Sequence, residues 1–167
     1  MKTILSSRRH HYLARFGTFL AAVALIAGMV GCGPTEVTFT DPNLEAAVRV
    51  AVAIPERPIY PSDLDELASL NATERNIADL TGLECCTSLL SLNLNDNLIS
   101  AISSLSNLTS LTFVGLSSNQ ISRIDPSVQN DGLGPGDVVL LYGNPLSWDS
   151  INIYIPELEA RGVNVEY

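Results

Sequence analysis

The amino-acid sequence predicts an α/β solenoid, a stack of short coils that each give one strand to a parallel sheet. Three observations predict it. Apolar residues recur with a period of 22 residues, and a period of that size marks coils that bury one another's apolar faces. Within a copy the spacing is neither helical nor alternating. Leu89, Leu92, Leu94, Ile99, Ile102, Leu105 and Leu108 are separated by steps of three, two, five, three, three and three. Finally, an asparagine holds the ninth place of three copies, as Asn97, Asn119 and Asn144.

The chain starts with a basic segment carrying Lys2, Arg8, Arg9 and Arg15, then an uncharged run from Phe16 to Val30. That run has the length of a leader and is short for a membrane span. It ends in MVGCG, with Cys32 after Gly31 and with Met29 where Leu is usual. Small residues before a cysteine at this place resemble the lipobox of bacterial lipoproteins. The resemblance implies cleavage before Cys32, a lipid on its sulfur, and a linker over 32–38. The alternatives are an ordinary secretory leader with an incidental cysteine, which leaves the chain secreted, and an uncleaved anchor, which leaves the same topology.

Residues 32–167 keep five basic residues and all 18 acids, so their net charge is 5 − 18 = −13. Such a surface repels phosphate backbones, which excludes nucleic acid as a partner class. Attachment to a membrane then rests on lipid and not on charge.

Residues 39–66 read as an N-terminal helical cap. Asp41 before Pro42 is an N-cap with proline in the first turn. Leu44, Ala47, Val48 and Ala51 share one helical face. Prolines 55, 58 and 61 make an irregular connector. Ser62 with Asp65 resembles a capping box and starts a short helix.

The repeats occupy 67–146. Copy one has Leu67, Leu70, Ala72, Arg75, Ile77, Leu80, Leu83 and Cys86. Copy two is the one given above, and copy three has Leu111, Val114, Leu116, Asn119, Ile121 and Ile124. Copy four follows a three-residue insertion and has Val139, Leu141, Asn144 and Leu146. Places four and six form a short strand with side chains inside the coil, and later places line the return path. The ninth-place asparagine marks the corner, where its amide can donate to and accept from backbone groups that no strand pairs. Asn97, Asn119 and Asn144 then form a ladder. Arg75 interrupts it in the end copy.

QNDGLGPGD, residues 129–137, holds turn formers and absorbs the insertion. Residues 147–167 read as a C-terminal cap. Trp148 to Ala160 is a helix that Pro156 kinks or divides, Gly162 stops it, and Val163 and Val165 alternate as a last strand.

The pattern LxxLxLxxNxIxxIxxLxxLxx resembles the bacterial leucine-rich repeat family in its 22-residue, internalin-like form. The resemblance implies a right-handed coil with a parallel concave sheet and capped ends. It also implies a surface that binds other molecules without naming them.

Catalysis finds no support. His10 and His11 both lie in the leader, so residues 32–167 lack histidine, the common general base. Cys85 and Cys86 have no imidazole partner, and no spaced Cys/His set suits a metal. No enzyme, cofactor or metal is expected.

Binding has a place. Places three, five and seven point outward from the strands. They carry Ser69, Asn71 and Thr73, then Ser91, Asn93 and Asn95, then Phe113, Gly115 and Ser117, then Val138, Leu140 and Tyr142. The first half is small and polar, and the second apolar and aromatic. Phe113, Val138, Leu140 and Tyr142, with Asn93 and Asn95 beside them, are the expected binding residues. The expected partner is a protein, either another molecule or a second copy of the chain. Two alternatives stand beside this reading: Tyr167 or Tyr154 covers the patch, or the chain is a structural envelope protein without a specific ligand.

Overall fold

The computed structural model describes residues 32–33, 35–124 and 130–167. The expected leader, residues 1–31, lies outside the described residues.

Helix α1 spans Pro42–Ala51 and α2 spans Pro61–Leu64. The strands are β1 Ser69–Asn71, β2 Ser91–Asn93, β3 Phe113–Gly115 and β4 Val138–Leu140. Helix α3, Ile155–Ala160, and strand β5, Asn164–Glu166, follow. The five strands form one parallel sheet in chain order. Leu70, Leu92, Val114, Val139 and Val165 share one register, so the 22-residue period and the insertion before copy four are preserved strand by strand.

Every apolar strand residue in that register is buried. The return paths run through 3₁₀ turns at Leu83–Cys85 and Ser103–Leu105. Leu83, Leu105 and Leu108 point inward there and join one continuous core. One coil of three-residue strands cannot close a dry interior. Stacked coils can, because each covers its neighbour's open side.

At the N-terminal end, Asp41 caps α1, accepting from the N–H groups of Asn43 and Leu44 at 2.8 and 3.4 Å. Leu44, Ala47 and Val48 are its buried face, set against β1. Arg49 pairs with Glu45 at 2.7 Å and donates to the carbonyls of Ile54 and Arg57, which folds the proline connector back.

The cap of α2 differs from the sequence expectation. Pro61 takes its first turn, Tyr60 is the N-cap, and Asp63 accepts from the Tyr60 N–H at 2.8 Å. Arg57 binds the same carboxylate and, with that N–H, holds its pKa down at about 2.

Segment 32–38 is more than a linker. Val37 is buried and donates its N–H to the Ile59 carbonyl at 2.8 Å, and Phe39 is buried beside it.

At the other end the helix before β5 widens into a π turn over Ser150–Tyr154 just before Pro156. A proline has no N–H to give, and its ring crowds the carbonyl four residues back. The wider turn relieves both constraints. Ser150, fully buried, accepts from the Ile124 N–H and donates to the Ser122 carbonyl, both at 3.0 Å. Arg161 donates to the carbonyls of Asn130 and Leu133, tying α3 to the insertion.

Candidate recognition surface

The corner asparagines join neighbouring coils. Asn97 Oδ1 accepts from the N–H groups of Arg75 and Ile77 at 3.1 and 2.9 Å, in the coil before it. Its Nδ2 donates to the carbonyls of Ala72 and Leu94, both at 2.9 Å. Asn119 repeats this one coil on, accepting from Ile99 N–H and donating to the carbonyls of Leu94 and Leu116. Asn144 does the same with Ile121, Leu116 and Leu141. Each amide therefore bridges backward.

Arg75 has no coil behind it to bridge, so an asparagine there would lack its partners. Asp41 does the bridging at that end instead. Its Oδ2 accepts from the N–H groups of Ala78 and Asp79 at 2.8 and 3.3 Å. Burial alone would raise the Asp41 pKa. The four backbone donors, Ala78 first, outweigh it and hold the carboxyl below its ordinary value.

The residue before each corner is left-handed in all four coils: Glu74, Asp96, Ser118 and Gly143 have φ of 57, 57, 54 and 77°. Only Gly143 adopts this without cost.

The exposed face of the sheet is set by this frame. In its polar half the asparagine side chains are tied to nearby backbone N–H groups. Asn71 Oδ1 accepts from the Thr73 N–H and hydroxyl. Asn93 Oδ1 accepts from Asn95 N–H at 3.1 Å, and Asn95 Oδ1 from Ser117 N–H at 2.8 Å. Gly115 makes room for both, since a Cβ there would lie 3.0 and 3.1 Å from those two oxygens. Asn93 and Asn95 thus each have their Oδ1 engaged by one backbone N–H, which fixes the side-chain orientation.

The other half has no such ties. Phe113 and Val138 face each other across β3 and β4, and Leu140 lies between Gly115 and Glu166. These three side chains are half-buried, and Tyr142 is 72% exposed. Tyr154 packs against the core, and Tyr167 is itself exposed. Among the described outward strand positions, Glu166 is the one charged residue. Arg49, Arg57 and Arg161 are engaged elsewhere, as described above.

The structure pairs Cys32 with Cys85 in a disulfide, with a Cα–Cα distance of 5.3 Å. A sulfur in a disulfide carries no thioether. The lipid expected on Cys32 and this bond therefore exclude each other in one molecule. Cys86 is a buried free thiol. Burial, with a smaller push from the Glu84 charge, raises its pKa to about 12, so it stays neutral and unreactive. Among the described residues no group of three or more His, Cys, Asp and Glu could hold a metal, and no helix is long and apolar enough to cross a membrane.

No family model matches the chain, and no curated protein does. Solved structures do. An internalin of Listeria monocytogenes, InlF, superimposes with a TM-score of 0.66 at 24% identity, over 80% of this chain and 39% of its own. Internalin C2 from the same species gives 0.57 at 28% identity, over 66% of this chain and 48% of its own. The chain thus spans less than half the length of either. With the parallel sheet and the stacked register, these neighbours make the fold a leucine-rich repeat solenoid of internalin type.

Proposed function

We propose that this chain is an extracytoplasmic recognition module that binds a protein partner non-covalently through the apolar half of its sheet. One observation carries the reading: asparagines of the polar half are tied to backbone N–H groups, while Phe113, Val138 and Leu140 lie half-buried at outward places of adjacent strands and Tyr142 beyond them is strongly exposed. Exposed apolar clusters mark interaction sites, and aromatic residues favour interface centres. The mechanism is rigid display. Stacked coils and the asparagine ladder hold these side chains in rows before any partner arrives, so little ordering is left to do on binding.

The leader-like segment supports a place outside the cytoplasm, and a disulfide fits an oxidising compartment. A lipid thioether on Cys32, which the lipobox-like MVGCG would place there, would anchor the chain to the cell envelope in a molecule whose Cys32 is not bonded to Cys85. The Cys32–Cys85 bond is the alternative fate of that sulfur. Recognition by the sheet works with either.

The test is the double variant Phe113→Ser with Tyr142→Ser, checked for folding by circular dichroism. Loss of captured partners or of self-association, with the fold retained, supports the reading. Unchanged capture and unchanged oligomeric state remove this face as the site and leave a structural envelope role.

A further inference from the structure

We infer that Cys85 claims Cys32 in the exported chain, so that the first coil is stapled to its N-terminal segment and the sulfur carries no lipid. That segment is also held by contacts other than the bond. Val37 and Phe39 are buried, and Val37 is hydrogen-bonded to Ile59. The backbone of Thr38 and the ring of Phe39 lie directly over Gly82, where a Cβ would come within 2.7 Å of both. Gly82 also has φ of +99°, a left-handed backbone that side chains resist.

The 3₁₀ turn that starts after Gly82 carries Cys85 back toward the same segment. The two cysteines border a groove of about 110 Å³ with Gly33, Glu36 and Glu84, and both are only partly buried. Their Cα separation of 5.3 Å suits a bridge without backbone movement. Cys86, next in sequence, points into the core and does not compete.

The chemistry needs an exported thiol–disulfide oxidoreductase in its disulfide form. The thiolate of one cysteine attacks that disulfide and displaces one of its sulfurs. The thiolate of the other cysteine then attacks the mixed disulfide. Two protein thiols lose two protons and two electrons and become one disulfide, and the oxidoreductase leaves as a dithiol. A cysteine already carrying a lipid through a C–S bond has no thiol to contribute.

The experiment uses the full chain exported to an oxidising compartment and labelled with a maleimide in denaturant. Intact mass then counts the adducts with and without prior reduction, and fragment mapping locates the linkage. One adduct before reduction, three after it, and a linked Cys32–Cys85 fragment are expected. Two adducts before reduction with a diacylglyceryl mass on Cys32 would overturn the inference. So would three free thiols, or a linkage through Cys86. No binding is measured, so a failure here leaves the sheet proposal standing, and a failure of the sheet variants leaves this one standing.

Discussion

Replacing Asn97 by alanine strikes the bond between coils without touching the exposed face. Asn97 is 5% exposed, and its Oδ1 serves two backbone N–H groups of the preceding coil. The Ile77 donor is fully buried, while the Arg75 donor is only partly so. Leaving a buried donor unsatisfied costs about 1–3 kcal/mol, so the two together cost about 3 kcal/mol after a discount for Arg75. The lost Nδ2 donations are partly covered, because Leu94 keeps its bond from Asn119. Against a total stability of about 5–15 kcal/mol for a domain, the loss is large. Asn71→Ala is the control, since its acceptor bonds are solvent-exposed and its loss is worth less than about 1 kcal/mol. Urea unfolding followed by far-ultraviolet circular dichroism gives both values. A lower midpoint with an unchanged slope is expected for Asn97→Ala. A loss no greater than that of Asn71→Ala would refute the bridging role.

Two further outcomes follow from the packing and the cap. Val114 and Val139 hold the strand place that is leucine in the first two coils, and a cavity of about 40 Å³ lies beside them, lined also by Leu105 and Leu133. Val114→Leu adds one buried methylene, worth about 0.8 kcal/mol, and urea unfolding should show a gain of that order. A loss would mean that the cavity cannot take the group. Asp41 stabilises the fold as a carboxylate whose pKa is below its unfolded value. That contribution is present above the unfolded pKa and is lost as pH falls through the lowered one. Asp41→Ala should cost about 1–2 kcal/mol at neutral pH through the lost cap and flatten the acid limb of a pH–stability titration. An acid limb unchanged from that of the unsubstituted chain would contradict this.

The coil was legible because its signal repeats. Leu92, Leu94 and Asn97 mean little alone, but the same set 22 residues on places strands, register and corners together. Even the exception at Arg75 has a physical reason in the missing preceding coil.

What escaped the sequence depends on groups brought together only by folding. The second oxygen of Asp41 caps a backbone far away in sequence, at Ala78 and Asp79. Asn130, buried in the insertion, donates to the carbonyls of Leu105 and Leu108, yet it reads as an ordinary turn residue. Cys32 and Cys85 are 53 residues apart, and spacing alone cannot pair them. At the exposed face, Asn93 and Asn95 read as ligand-facing amides. The signal that they are occupied was Gly115, the one outward place that lacks a side chain beside them. The outward places of Phe113, Val138 and Leu140 were legible from alternation about the inward Val114 and Val139.

Placing a photo-crosslinking amino acid at position 142, and separately at position 71, tests the recognition surface most directly. In intact cells that export the chain, a discrete crosslinked protein species is expected from position 142 and none from position 71. Crosslinks from position 71 alone, from both positions equally, or from neither would contradict it.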